Sequence, residues 1–400
     1  MLEELFSNHL EVLVNTPKDF ERYLYSQVNW KAQGICILGD RGVGKTTLIC
    51  QDLAKRYQNP ERALYLSADH INITSYGLFN VAKTFFSHGG EALYIDEIHK
   101  YPDWSIEIKN ILDTYKTRQI IFSASSSLDL GQSKADLSRR VVYHRLAGLS
   151  FREFLKLEAM VELPVFELKQ ILKNHVSISS SLGKLPILKH FRNYLKQGYY
   201  AFYLEGTEDY FSKLNNVIEK VLFEDIAVVY NLKQTTLPIL KKILWLVATS
   251  GGLIPNIDKI SKNLGVSREM IYNCLEYLIR SGLLNEVFHS GRGNTLVRKP
   301  GKIYINNTNL LYAIHGNLRL ETDLGGIRET FFVNQLSTSH KISLHEKGDY
   351  LLDDQWVVEV GGKGKTDEQI RGVSDSYLAL DDMSIGFGKK VPLYLFGLLY

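Results

Sequence analysis

The run Gly39-Asp40-Arg41-Gly42-Val43-Gly44-Lys45-Thr46 puts a lysine and a threonine directly behind a pair of spaced glycines, with Thr47 next in line. Glycines at this spacing let backbone N–H groups turn inward around anionic oxygens, the lysine supplies a point charge, and the threonine hydroxyl is a hard ligand for a divalent cation. The chemistry is capture of a triphosphate, and ATP with Mg²⁺ is the expected pair. The expected cradle is Gly39, Asp40, Arg41, Gly42, Val43, Gly44, Lys45, Thr46 and Thr47. About fifty residues on, the apolar run Ala92-Leu93-Tyr94-Ile95 ends in Asp96-Glu97. Two carboxylates at a strand end fit two roles in a largely electrostatic phosphoryl transfer. Asp96 joins Thr46 around the metal, and Glu97 orients and polarises the attacking water.

These residues need elements to hold them. Gly34 to Leu38, Ala63 to Ser67, Ala92 to Ile95, Gln119 to Ser123 and Val141 to Leu146 are short apolar runs with helical periodicity between them. Runs that are apolar throughout predict parallel strands covered on both faces by crossover helices, an α/β fold with its active site at the carboxyl ends of the strands. The first thirty residues read as helix. Ala63 to Ser67, between the two motifs in sequence, is expected as an extra strand inserted between the phosphate-loop strand and the metal-binding strand.

Two further groups have a functional and a plain reading. Ser125 and Ser126 end a strand, where hydroxyls either sense a γ-phosphate or simply form a turn. Arg139 and Arg140 precede the fifth strand. An arginine there either reaches the γ-phosphate of a neighbouring subunit or sits mute on the surface.

After Ser150-Phe151-Arg152-Glu153-Phe154-Leu155 the pattern becomes helical and aromatic, which reads as a lid. From Asn256 to Tyr272 a short amphipathic helix, a glycine turn and Ser267 as an N-cap predict a helix-turn-helix. Arg268, Tyr272 and Asn273 would face nucleic acid if the second helix entered a groove, with Arg292 and Arg298 at a wing formed by Leu283 to Val287 and Gly301 to Ile305. The same helices would otherwise pack against the rest of the protein. Beyond Leu311 a helix containing Glu329 leads into strand-like runs at Lys341 to Glu346, Asp349 to Leu352, Trp356 to Val360 and Val391 to Phe396.

Bulk composition narrows the class. Four hundred residues, 45% hydrophobic and 23% charged, predict a folded globular chain of several domains. A net charge of +3, from 47 basic and 44 acidic residues, marks no partner. Cys36, Cys50 and Cys274 are too scattered for a disulfide framework or a zinc site, which fits a reducing cytoplasm. The acidic N-terminus lacks the pattern of a secretion signal, and no run reaches the ~20 apolar residues of a membrane span.

These residues resemble the archaeal-type AAA+ ATPases, in which an ATPase core is followed by a winged helix and a restriction-endonuclease-like domain. The likeness is carried by Gly39 to Thr46, by Tyr94-Ile95-Asp96-Glu97-Ile98-His99-Lys100, by Ala124-Ser125-Ser126 and by Leu137-Ser138-Arg139-Arg140-Val141. Leu149-Ser150-Phe151-Arg152-Glu153-Phe154 and Glu359-Val360-Gly361-Gly362-Lys363-Gly364-Lys365 complete it. The resemblance implies a P-loop AAA+ core with its N-terminal helix over 1–155, a helical lid over 156–235, a winged helix over 236–310 and a PD-(D/E)xK-like domain over 311–400. It makes Ser125 or Ser126 the sensor and Arg140 the arginine finger, although Arg139 stands where the family has glycine. It also implies a homo-oligomer and DNA or RNA as a partner, while the lack of a long apolar run argues against a membrane. Glu329, Asp349 and Glu359 match the nuclease-like acids. The lysine expected two positions after the second acid is Gly361, so Lys363 or Lys365 would have to replace it, and a structural or binding role for the domain is the alternative. A nucleotide-gated binding module with little hydrolysis, or an ATP-regulated nuclease, are the competing functions.

Overall fold

The structure is a computed structural model describing residues 2–125, 136–291, 301–321 and 323–400. It divides into two compact units, Met1–Gly148 and Leu149–Tyr400.

The first unit is a five-stranded parallel sheet. Its strands are β1 (Gly34–Gly39), β2 (Ala63–Ser67), β3 (Ala92–Asp96), β4 (Gln119–Ser125) and β5 (Val141–Leu146), in the order β2-β3-β4-β1-β5. The strand between the phosphate-loop strand and the metal-binding strand is therefore β4, and Ala63–Ser67 forms the edge, contrary to the sequence expectation. Chain order does not fix sheet order when crossovers are helical. The connecting helices are α2 (Lys45–Arg56), α3 (Ile71–Tyr76), α4 (Leu78–Ser87) and α5 (Trp104–Thr114), preceded by α1 (Leu2–Val14). Cys36, Leu64, Leu93, Ile95 and Phe122 of the sheet pack with Ile73, Val81, Phe85, Ile108 and Ile111 of the helices in one core.

The expected N-terminal helix stops at Val14 rather than running to residue thirty. Asn15 and Thr16 turn their side chains back on the carbonyls of Glu11 and Val12, and Pro17 cannot extend the ladder. This helix covers the otherwise open edge of β2, where the backbone N–H of Tyr65 donates to Nδ1 of fully buried His9 at 3.0 Å. An edge strand so covered cannot recruit another chain.

In the second unit, α6 (Phe151–Ala159) opens with a reciprocal capping box, Ser150 with Glu153. Then come α7 (Leu168–Ser181), α8 (Ile187–Gln197), α9 (Tyr210–Lys220), a π-helical segment at Val221–Ile226, α10 (Ala227–Val229) and α11 (Leu237–Ala248). Helices α12 (Ile257–Leu264) and α13 (Arg268–Arg280) are joined through left-handed Gly265, and Ser267 Oγ accepts the N–H of Met270 as the cap of α13. Strands β6 (Leu284–Val287) and β7 (Lys302–Ile305) follow as an antiparallel pair. Arg292 and Arg298 lie outside the described residues.

Helices α14 (Thr308–Leu318) and α15 (Leu324–Ser337) lead to a second five-stranded sheet. Its strands are β8 (Ile342–Leu344), β9 (Tyr350–Leu352), β10 (Trp356–Gly361), β11 (Ser376–Leu380) and β12 (Lys390–Pro392), in the order β12-β11-β10-β9-β8. One expectation fails here, and one strand went unread. Leu393–Leu398 is a buried 3₁₀ helix rather than a strand, and Ser376–Leu380, unread in the sequence, is a strand pairing parallel with β10. A continuous apolar run marks burial but not which backbone is buried. No helix among the described residues is long and apolar enough to cross a membrane.

Candidate functional site

The phosphate loop leaves the carboxyl end of β1 and enters α2. Gly42 and Gly44 adopt φ of 87° and 94°, the left-handed region that a side chain disfavours, and Gly44 is the N-cap of α2. Gly39 is required sterically, because a Cβ there would lie 2.6 Å from the carbonyl oxygen of Leu146 on β5. Lys45 Nζ donates to the carbonyls of Gly39 at 2.9 Å and Asp40 at 3.0 Å, spanning the loop from inside. Burial lowers its pKa below the usual lysine range, against the pull of Glu97, Asp96 and Asp40. A strongly desolvated ammonium in a glycine loop is poised for anionic oxygens.

At the end of β3, buried Asp96 collects donors. Thr46 Oγ1 donates to Oδ2 at 2.6 Å and Tyr65 Oη to the same oxygen at 3.2 Å, while Ser123 Oγ and the N–H of Glu97 donate to Oδ1. Thr46 and Asp96 thus present one hydroxyl and one carboxylate side by side, hard oxygen donors of the kind Mg²⁺ takes when phosphate and water complete its shell. The donor set fits that ion. A cavity of ≈ 400 Å³ opens on Thr46, Thr47 and Cys50 from the side of α1.

Glu97 follows with φ of 53°, an uncommon backbone for a side-chain-bearing residue, and its N–H is fixed by Asp96 and by Ser123 Oγ at 3.0 Å. Its Oε2 lies 3.4 Å from Lys100 Nζ and 3.6 Å from His99 Nε2, and Lys100 Nζ also donates to Asp69 at 2.8 Å. Burial pushes the Glu97 pKa up, but His99 when protonated, together with Lys45, Lys100 and Arg41, outweighs it, leaving the carboxyl below its ordinary range. It is ionised at neutral pH. Ser125 is buried at the end of β4, with its N–H donating to His99 Nδ1 at 3.2 Å. Ser126 lies outside the described residues.

Arg140 stands apart from this site. Gly34 is in register with Val141 and Gly39 with Leu146, so Arg140 belongs to the opposite end of the sheet, roughly 16 Å from the loop by strand rise. It forms a two-pronged pair with Asp113, Nε to Oδ1 at 2.7 Å and Nη2 to Oδ2 at 3.1 Å. Arg139 beside it is exposed.

Sequence reasoning missed two arginines on the loop's flank. Arg22, 6% exposed, donates to the carbonyls of Val43, Ala147 and Gly148, tying the loop to the end of β5, and Arg145 Nη2 lies 3.7 Å from Asp40 Oδ1. Neither lies in a motif. His99 and Lys100 stood in a motif-bearing run, yet spacing alone assigned them nothing.

The C-terminal acids do come near one another, but each is already engaged. Glu329 Oε2 accepts from Lys302 Nζ at 2.6 Å, Tyr304 at 2.6 Å and Tyr350 at 3.0 Å. Asp349 Oδ2 accepts the N–H of Val360 at 2.8 Å, and burial, with Glu359 and Glu329 nearby, raises its pKa to about 6. Glu359 on β10 pairs with Lys365 Nζ at 2.5 Å. Lys363 is exposed, so the lysine against Glu359 is Lys365 instead. Gly361 makes room for it, since a Cβ there would lie 2.9 Å from Lys365 Cβ and Cγ. Among the described residues no three His, Cys, Asp or Glu side chains are grouped to hold a metal ion. On α13, Arg268 pairs with the Asp258 carboxylate, Tyr272 is 60% exposed and Asn273 is half-buried.

Comparison with known proteins reaches parts of the chain. Residues 188–322 match a domain of unknown function, DUF8612. A curated relative, the uncharacterized protein MJ1637 of Methanocaldococcus jannaschii, is 28% identical over 289 residues, 69% of this chain. The chain spans 61% of that relative's length. Among solved structures, AMPPCP-bound DnaA from Aquifex aeolicus aligns at TM-score 0.28 and 17% identity, covering 69% of this chain and 88% of that one. Domain III of the Thermotoga maritima replication initiation protein DnaA aligns at TM-score 0.26 and 18% identity, covering 43% and 76%. Overlaps this partial carry no functional inference. Residues 31–155, which hold the phosphate loop, Asp96, Glu97 and Ser125, match the AAA domain family, and it is to those domains that this part of the chain is similar.

Proposed function

We propose that the chain binds ATP with Mg²⁺ and hydrolyses it. The observation that carries this reading is the 2.6 Å contact between Thr46 Oγ1 and Asp96 Oδ2, with ionised Glu97 next in the chain at the carboxyl end of a parallel sheet. Bound Mg²⁺ would draw charge from the β- and γ-phosphates. Lys45 and the loop N–H groups of Gly42 to Thr46 hold the phosphates, Thr46 and Asp96 face the metal, and Ser125 sits at the strand end where a γ-phosphate sensor belongs. Glu97 orients a water whose oxygen forms the new bond to γ-phosphorus as the bond to the β,γ-bridging oxygen breaks, and it accepts the water's proton. Steady-state turnover of wild type and Glu97→Gln tests this. The variant should bind ATP and hydrolyse it at least ~10²-fold more slowly, and wild-type turnover would remove Glu97 from the chemistry.

We place Arg140 in trans, as the finger of a homo-oligomer, because its own loop lies at the other end of the sheet. We further assign 236–310 to nucleic-acid or protein recognition, supported by the capped helix pair α12–α13 and exposed Tyr272, and regard a cytoplasmic location as consistent with three free cysteines. A module that binds nucleotide with little turnover is the competing reading, decided by the same turnover assay with and without DNA. Metal-dependent cleavage by Glu329, Asp349 and Glu359 has less support, since lysines, tyrosines and a backbone N–H already occupy their oxygens. Mg²⁺- or Mn²⁺-dependent plasmid cleavage lost in Asp349→Ala would reinstate it.

A further inference from the structure

We propose that His99 is a positioning residue for Glu97, with Nε2–H directed at its carboxylate while Nδ1 is anchored on the end of β4. The inference rests on the reading of Glu97 as the residue that orients water. It begins with the backbone N–H of Ser125, which can only donate, and which meets His99 Nδ1 at 3.2 Å. Nδ1 must then carry its lone pair, and in the neutral ring the hydrogen resides on Nε2. That nitrogen faces Glu97 Oε2 at 3.6 Å, an electrostatic contact just longer than a hydrogen bond. The ring is thus fixed in one tautomer by β4 and turns its hydrogen toward the carboxylate that follows the end of β3.

Three features make this contact matter. The His99 side chain is 5% exposed, so the attraction is little screened by water. Glu97 is held by its backbone at a left-handed bend, leaving only its side-chain torsions to be set, and His99 approaches from one side while Lys100 approaches at 3.4 Å with its own tether to Asp69. And the anchor is the N–H of Ser125, the strand end that we assign to γ-phosphate sensing. A shift of the β4 end when a γ-phosphate is present would move His99, and through it the carboxylate.

The test compares His99→Asn, His99→Gln and His99→Ala. Asparagine keeps an acceptor for Ser125 but has nothing at the Nε2 position; glutamine keeps a donor there. Turnover should fall in the order wild type, His99→Gln, His99→Asn, with the last down by about 10²-fold, the scale of a misplaced catalytic group. Affinity for a fluorescent ATP analogue should stay within a factor of two. Adding His99→Asn to Glu97→Gln should cost nothing further, because the two act through one carboxylate. Wild-type turnover in His99→Asn, equal losses in all three substitutions, or a full additional loss in the double variant would overturn the proposal. His99→Asn retains the Ser125 contact, so it remains informative if His99→Ala fails to fold. If Glu97→Gln itself turns over normally, it is the reading of Glu97 that fails, and it does so before any His99 variant is examined.

Discussion

Thr46 Oγ1 and Asp96 Oδ2, fifty positions apart in the chain, lie 2.6 Å from each other because β1 and β3 run parallel with only β4 between them. The contact brings the hydroxyl that opens α2 to the carboxylate that ends β3. Asp96→Asn preserves a hydrogen-bond acceptor for Thr46 but removes the charge. Nucleotide affinity with Mg²⁺ should fall by at least ~10-fold, while affinity in EDTA should change little. Equal losses in both conditions would make Asp96 a structural residue only.

Lys45 makes a complementary case. It is buried, its ammonium is desolvated, and its two present partners are neutral carbonyls. Lys45→Ala should abolish nucleotide binding with and without Mg²⁺, while thermal stability without nucleotide changes little or rises, since a costly buried charge is gone. Retained binding in a fluorescence titration would contradict the cradle.

The Arg140–Asp113 pair is exposed and contributes little to stability. If Arg140 serves a neighbouring subunit, Arg140→Ala should bind ATP normally and lose ~10³-fold or more in turnover. Mixing it with Glu97→Gln should restore activity, because one protein lacks the finger and keeps its base while the other does the reverse. Turnover that stays absent in the mixture removes the trans assignment. Asp113→Asn, which removes the charge that Arg140 pairs with, should leave turnover intact.

Those parts of the site that a short stretch of chain encodes were legible in the sequence. Gly39 to Thr46 fixes its own geometry through two left-handed glycines, and Asp96-Glu97 marks its strand end by composition. What was not legible depends on contacts across the sheet. Arg22 reaches Val43 and Gly148 across 21 and 126 positions, and no local pattern announces it. His99 looked like part of a motif, but its use of Ser125 follows from β3 lying beside β4. In the second unit the apolar run 393–398 carried burial without revealing a 3₁₀ backbone, and the choice between Lys363 and Lys365 as the lysine of Glu359 depended on the chain folding back over Gly361.

That fold-back yields a stability prediction. Glu359 is 1% exposed and its ion-pair partner Lys365 has a side chain 37% exposed, so Lys365→Ala leaves a buried carboxylate without its counter-charge at a solvent-screened cost of about 1–3 kcal/mol. Pairing it with Glu359→Gln should recover most of the loss. Gly361→Ala should act like Lys365→Ala, because its methyl would displace the lysine stem. Denaturant unfolding that finds Gly361→Ala as stable as wild type would disprove the packing.

His9 gives the pH dependence of the first unit. Its imidazole is fully buried, accepts the N–H of Tyr65, and burial lowers its pKa to about 4 from an ordinary 6.5. A histidine with a depressed folded pKa binds its proton more readily when unfolded. Its contribution is therefore fully present above about pH 6.5, declines as pH falls, and is lost below about pH 4. The depression corresponds to roughly 3 kcal/mol at ~1.4 kcal/mol per pH unit. Protonation would also turn Nδ1 into a donor facing a donor, so α1 should leave the β2 edge as part of the same transition. His9→Asn keeps an acceptor for Tyr65 without titrating. Thermal melts between pH 4 and 7 should therefore show a flatter dependence in His9→Asn than in wild type, and identical slopes would place the acid sensitivity of this unit elsewhere.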